Sequence, residues 1–334
     1  MTLGPQSRAL PDDPLWMPLL THYRMDQGIA VDQGRMAAHI ASLRPHVRQF
    51  LLAGSTGDGW ELDASHLLDL VRLSRDGRVF DSSCRVLFGI LRRTTDEIVE
   101  WAAMLERTLK AEGMPAAPFA GFAVCPPVDP QASQEEIRRH YERVLEATTV
   151  PVAVYQLPQV TGCTIEPPTM RALAESPRVT MFKDTSGADT VARSGAVEDV
   201  VLLRGAEGDY AEALRPEGPY DGWLLSTANV FARDFRQILL LRKAGKAEQA
   251  GELSDLLSRQ IEALFEAAAS VPVGNAFSNA NRAADHVLAY GSSWPSIPAP
   301  LTVSGHRLPQ DLLATAADIL TRHPGVPDRG YMPT

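Results

Sequence analysis

Short apolar runs, each followed by a segment with helical periodicity, succeed one another through the first two thirds of this chain, and that alternation limits what it can fold into. Candidate strands fall at 16–21, 49–53, 85–89, 121–124, 152–155, 179–183, 200–204 and 222–226. Strand and helix signals in alternation imply parallel strands joined by helical crossovers. Eight such units close a (β/α)8 TIM barrel, and a doubly wound open sheet is the other arrangement that fits. The 334 residues leave room for a barrel of about 250 residues in one domain, with two ordinary domains as the alternative that length allows.

The intervening helices carry their own start signals. Thr94 with Glu97, and Ser133 with Glu136, have the spacing of capping boxes, in which each side chain satisfies an amide of the first turn. Behind them Ile98, Ala102 and Leu105, then Ile137, Tyr141 and Val144, recur at helical period and should face the barrel. Pro167 and Pro168 suit the first turn of the helix between the fifth and sixth strands. Beyond Ser226 the pattern becomes all helical. A segment at 231–242 leads to an apolar stripe of Leu253, Leu256, Leu257, Ile261, Leu264 and Phe265. Further helices are expected at 279–289 and 311–321, with a proline-rich linker at 295–300. The expected organisation is a barrel over 15–242 and a C-terminal helical extension over 243–334 packed on it.

The chemistry concentrates at two strand ends. Val179, Thr180, Met181 and Phe182 suit a buried strand and lead into Lys183 and a polar, glycine-ended turn, Asp184-Thr185-Ser186-Gly187. The C-terminal ends of barrel strands are where such folds keep their reactive groups. An isolated lysine is ordinarily solvated. Context argues otherwise, because one strand-helix repeat earlier another apolar run, Val152-Ala153-Val154, ends in Tyr155. If these strands are parallel neighbours, the two side chains share one mouth. A lysine in an apolar mouth loses solvation of its charged form, so its pKa falls and a neutral amine becomes available to attack a ketone. A phenol beside it can pass protons to and from the adduct, although a lone tyrosine is usually a packing residue. Gly54-Ser55-Thr56-Gly57 follows the second strand. It reads either as a plain turn or as backbone amides and hydroxyls aimed at a carboxylate.

Charge and composition exclude other classes. A net charge of −9 without a lysine-arginine run argues against a nucleic-acid surface. Cys84, Cys125 and Cys163 are odd in number and lack metal-ligand spacing, as expected of free thiols in a reducing compartment. His22, at the end of the first strand, is read as structural or exposed, and His66, His140 and His286 show no zinc-site pairing, so no metal is expected. The start of the chain lacks the basic-then-apolar order of a signal peptide, and no apolar run is long enough to span a bilayer, which together suggest a cytoplasmic protein without membrane contact.

Tyr155-Gln156-Leu157-Pro158 followed by Thr161-Gly162, the Lys183-Asp184-Thr185-Ser186-Gly187 turn and the upstream Gly54-Ser55-Thr56-Gly57-Asp58 stand in one order and spacing. That set resembles the dihydrodipicolinate synthase / N-acetylneuraminate lyase family of Schiff-base aldolases, over roughly residues 15–290. The resemblance implies that Lys183 forms the imine, Tyr155 relays protons, and Ser55 and Thr56 hold the pyruvate carboxylate. It places Thr185, Gly205, Glu207 and Ser226 where the sialic acid lyase branch contacts sugar-acid hydroxyls, with Glu207 standing for an aspartate and Gly208 for a glutamate. Glutamate is as readily a solvated loop residue. The resemblance further implies no cofactor beyond the covalent imine, helices packed beside the barrel, and a homodimer or homotetramer.

Two departures set the chain apart from the enzyme of lysine biosynthesis. Val160 stands where that branch carries an arginine before the Thr-Gly step, and Cys125-Pro126-Pro127-Val128-Asp129 replaces its tyrosine pair. A valine cannot supply the bidentate grip of a guanidinium. The expected function is therefore a class I aldolase or lyase acting on a small-molecule 2-oxo acid and an aldehyde, expected to be polyhydroxylated, so that a 2-keto-3-deoxy sugar acid or similar compound is made or cleaved. A dehydratase using the same imine is the alternative, and a non-catalytic barrel that binds a 2-oxo acid is a second; the presence of both Lys183 and Tyr155 counts against the latter.

Overall fold

The computed structural model describes residues 13–324, 326 and 328–333. Residues 1–12, which carry most of the stretch read above for a signal peptide, lie outside it. In chain order the first elements are β1 (Leu15–Pro18), β2 (Tyr23–Met25), β3 (Ile29–Val31), α1 (Gln33–Leu43), β4 (Gln49–Leu52), a 3-10 turn (Ser55–Gly57), α2 (Ala64–Ser74), β5 (Arg85–Ile90) and α3 (Thr95–Glu112). There follow β6 (Phe119–Val124), α4 (Gln134–Ala147), β7 (Val152–Gln156), the single turn α5 (Pro158–Thr161), α6 (Pro167–Ala174), β8 (Val179–Asp184), the short α7 (Thr190–Arg193), β9 (Val201–Arg204), β10 (Gly222–Leu224) and α8 (Ala228–Lys243). The carboxy-terminal helices are α9 (Ala247–Ala269), α10 (Ala276–Tyr290), a 3-10 segment (Gly291–Ser296) and α11 (Gln310–Thr321). Among the described residues no helix is long and apolar enough to cross a membrane.

Eight strands close in the order β1-β10-β9-β8-β7-β6-β5-β4, every pair parallel and β1 joining both β10 and β4. The expected TIM barrel is thus present. Alternation along each strand divides its side chains between two cores. Outward residues pack under the helices in the larger core. Inward, each strand contributes one residue to a single layer: Trp16, Leu51, Leu87, Ala123, Ala153, Met181, Leu203 and Leu224. Residues two positions further along point the same way one layer higher, so the pleat itself lifts Tyr155 above Ala153 and Lys183 above Met181.

Both expected capping boxes form, with Thr94 Oγ1 accepting from Glu97 N at 3.3 Å and Ser133 Oγ from Glu136 N at 3.3 Å. A third, Asp63 with His66, starts α2. The differences from expectation are local. The first strand ends at Pro18 instead of residue 21: Pro18 has no amide to donate toward β10, although Leu19 N still donates to Leu51 O at 3.0 Å on the β4 side. The hairpin of β2 and β3 was not anticipated, although Asp26-Gln27-Gly28 between them is a turn sequence. Between β9 and β10 no helix forms, because Pro216, Gly218 and Pro219 interrupt that crossover. The segment expected as a linker at 295–300 begins inside the 3-10 turn.

Leu203 belongs to the inner layer, whereas Ser133 acts at an exposed helix end. Leu203→Ala should therefore destabilise by about 2–5 kcal/mol through the cavity it leaves, and Ser133→Ala by about 1 kcal/mol through one lost cap. Chemical denaturation would check both, and comparable losses would contradict the two-core description.

Candidate active site

β7 and β8 pair so that Tyr155 lies directly opposite Lys183 and Gln156 opposite Asp184. The four residues split by parity. Tyr155 and Lys183 point into the barrel, while Gln156 and Asp184 fix the frame behind them. Asp184 Oδ1 accepts from Gln156 Nε2 at 2.9 Å and from the amide of Ser186 at 2.8 Å, and its Oδ2 accepts from Tyr220 at 3.3 Å. Gln156 Oε1 accepts from the amide of Ile165 at 2.6 Å. The aspartate after the lysine thus shapes the turn that follows it.

Lys183 is buried, 5% exposed, and its Nζ lies 3.9 Å from the centroid of the Tyr155 ring. Among the described residues no carboxylate is within ion-pair distance of it. Burial pulls its ammonium down to about 7, only partly opposed by Cys125 and Glu207. A substantial fraction is therefore neutral at neutral pH. Burial also raises the phenol of Tyr155 well above its usual value, so it stays protonated.

Room for the lysine depends on Gly205. A Cβ there would sit 2.6 Å from Lys183 Cε and 2.4 Å from Thr185 Cγ2, closer than atoms can approach. Gly205 thus serves to seat the lysine.

The loop after β4 begins at Ala53, held at φ +53, and ends at Asp58, at φ +59. Between them Gly57 approaches Leu19 so closely that a Cβ would meet its carbonyl at 2.5 Å. Ser55 and Thr56 line the same cleft as Lys183, of about 320 Å³, with Tyr155, Thr185, Gly205, Glu207 and Ser226 also on its wall. All eight residues singled out from the sequence therefore face one cavity. Thr185 donates its hydroxyl to Gln156 O. Glu207 is engaged by its own chain: Ser226 Oγ at 2.8 Å, Thr227 Oγ1 at 2.7 Å, Thr227 N at 3.2 Å and Tyr210 OH at 3.0 Å all donate to it. Burial nevertheless raises its pKa.

Four contributors were missed. Asn275 Nδ2 and Ser278 Oγ, at the start of α10, donate to the carbonyl of Ser55 at 3.2 and 3.3 Å, and Ser278 Oγ reaches Thr56 O at 2.9 Å. Phe265 of α9 and Phe277 of α10 line the cleft. Asn275 has the position of a helix cap, a legible signal, but nothing local tells that α10 begins against this loop. Val160, on α5, is 43% exposed.

The histidines are structural in setting. His22 is buried, its Nε2 3.0 Å from His39 Nδ1 and 3.7 Å from Asp285. These three are the one group among the described residues placed to share a cation. Asp285 is, however, already paired with Arg35 and accepts from Tyr331 at 2.5 Å, and burial and Arg35 lower the pKa of His22. His140 bonds Cys125 O at 3.0 Å.

Gly205→Ala should abolish or strongly reduce any reaction of Lys183 while the fold persists. A Lys183 adduct of native yield in the folded variant would contradict the packing argument.

A family model described as the dihydrodipicolinate synthetase family matches residues 20–286. The 4-hydroxy-tetrahydrodipicolinate synthase of Anaplasma marginale (strain Florida) is 27% identical over 253 residues, covering 74% of this chain and 78% of that protein. The Escherichia coli (strain ATCC 8739) enzyme of the same name is 26% identical over 225 residues, covering 66% and 72%. Among solved structures, Escherichia coli K12 YagE in complex with pyruvate superposes with a TM-score of 0.73 at 20% identity, covering 92% of this chain and 97% of that one. The 2-keto-3-deoxygluconate aldolase of Sulfolobus gives 0.71 at 16% identity, covering 92% and 95%. With four fifths of its length matched in sequence by one family and its barrel shared with these structures, the chain belongs to the dihydrodipicolinate synthetase family.

Proposed function

We propose that the protein is a class I aldolase that joins a 2-oxo acid, pyruvate in the simplest case, to an aldehyde or cleaves the product, with no cofactor other than its own lysine. The observation that carries this is a buried lysine with a depressed pKa facing a protonated phenol in one cleft. Family membership in a group of lyases supports the same class.

The neutral Nζ of Lys183 attacks C2 of the 2-oxo acid, the carbonyl π pair moves to oxygen, and the proton that the nitrogen sheds passes to that oxygen, giving a neutral carbinolamine. Tyr155 delivers a second proton to that oxygen as water leaves, giving the imine, and recovers it later. The cationic imine draws electrons from C3, whose proton passes to the Tyr155 phenolate to leave an enamine. Its C3 then bonds to the aldehyde carbon, and water finally releases the product and the amine. Ser55 and Thr56 hold the carboxylate with hydroxyls and loop amides, so that C2 stays beside Nζ. In this reading 15–242 form the catalytic barrel and 243–334 the helical extension that completes its mouth.

Lysine biosynthesis fits poorly. Among the described residues Lys183 is the only cation lining the cleft, and exposed Val160 offers no grip for a second carboxylate. A homodimer or homotetramer, carried over from the resemblance, is part of this proposal, and light scattering after size exclusion reads it directly.

Intact mass after borohydride treatment with pyruvate should show a reduced adduct on the native protein and none on Lys183→Ala. Absence of the adduct from the native protein would overturn the proposal. The rate of adduct formation should rise with pH through about 7 and level off above it, because only the neutral amine attacks and that is the value burial sets. Tyr155→Phe should still bind pyruvate but lose about 10²–10⁴-fold in turnover. Release of pyruvate plus aldehyde in the cleavage direction separates the aldolase from a dehydratase, which keeps the carbon skeleton intact.

A further inference from the structure

Lys183, Tyr155 and Thr56 are buried in the cleft, whereas two aromatic rings, Phe265 and Phe277, stand on its less buried wall. Phe265 and Phe277 meet edge to face, with centroids 4.8 Å apart and planes at 87°. Phe277 is nonetheless 46% exposed. An exposed phenylalanine is unremarked on an ordinary surface, but this one is held in place. Its neighbours Asn275 and Ser278 tie the start of α10 to the carbonyls of Ser55 and Thr56, so the ring keeps its register with the cleft.

Most polar groups on that wall are already engaged, the hydroxyl proton of Ser186 being an exception, since Ser186 Oγ only accepts from Ala188 N. Glu207 takes four donors from the chain itself, Ser226 spends its hydroxyl on Glu207, and Gln159 Nε2 donates to Thr185 O at 2.7 Å. Among the described residues, no cation besides Lys183 lines the cleft. An aldehyde bearing a carboxylate or phosphate would lose its hydration without gaining a counter-charge. A polyol would likewise surrender hydrogen bonds to water for few replacements. A flat apolar substituent loses nothing on desolvation and presents a face or edge to two aromatic rings.

Resting on the lysine-imine reading above, we infer that the second substrate is an aromatic aldehyde, with Phe265 and Phe277 setting the specificity. The enamine carbon, C3 of pyruvate, bonds to the aldehyde carbon. The carbonyl π pair moves to its oxygen, which takes a proton from Tyr155 and becomes a hydroxyl. Hydrolysis of the imine consumes one water, restores the amine of Lys183 and releases a 4-aryl-4-hydroxy-2-oxobutanoate. A cleft of about 320 Å³ lies at the small end of ligand pockets and suits a single ring.

The test compares kcat/KM for benzaldehyde and for glyceraldehyde, each with pyruvate, alongside the borohydride adduct with pyruvate alone. Benzaldehyde should be preferred by at least about tenfold, and Phe277→Ala should lower the benzaldehyde-to-glyceraldehyde ratio by about tenfold. Because Phe277 is half exposed, that variant should fold; Phe265→Leu provides a second, which should shift the ratio the same way. A pyruvate adduct with glyceraldehyde preferred, with neither aldehyde used, or with a ratio indifferent to both variants would overturn this inference and leave the imine standing. No adduct at all would overturn both.

Discussion

The proposed active centre depends on keeping a lysine dry. A closed parallel barrel has an inside and an outside, and strand pleat assigns each residue to one of them without a choice. Lys183 shares parity with Met181, which fills the inner layer, so its side chain must enter the barrel. There the low dielectric penalises the ammonium more than the amine. Small residues make this possible: Gly205 leaves space that any Cβ would take away. Charge regulation at the site is thus achieved chiefly by packing, and a like-charged neighbour is not needed.

The mouth of the barrel is finished from far along the chain. Asp58, at the end of the loop that carries Ser55 and Thr56, is bound by Arg282 of α10 at 2.6 Å and by Tyr23 of the β2–β3 hairpin at 2.8 Å. Both ions of that pair are almost fully buried. Removing one partner of such a pair typically costs about 3–5 kcal/mol, because the other charge is left without compensation. With the hydrogen bonds from Asn275 and Ser278, it makes α10 part of the site's frame. The loop is thereby held from the hairpin side and from the helical side together.

Electrostatics inside the cleft differ from the overall balance. The chain carries a net charge of −9, yet in the proposed reaction an anionic 2-oxo acid is held by hydroxyls, loop amides and the lysine. Local donors decide such binding at short range, where solvent screening is weak. The acidic residue in the cleft, Glu207, is turned inward on its own hydroxyl partners and ties the loop after β9 to that after β10.

Sequence alone determined the elements and their parity. Alternating signals identified all eight barrel strands, Thr94–Glu97 and Ser133–Glu136 marked two helix starts, and an apolar run ending in Lys183 put that residue at a strand end. These properties are encoded within a few residues of each position, where periodicity and capping act. The closing interaction of β1 with β10, the approach of α10 to the Ser55 loop, and the arrival of Phe265 and Phe277 beside Lys183 were decided only by tertiary structure. Such contacts join segments separated by tens to hundreds of residues, and their energy comes from the fit of surfaces that exist only once the barrel has closed. The engagement of Glu207 belongs to the same category: its residue type was legible, but the four donors that occupy it were not, since they converge from two different loops.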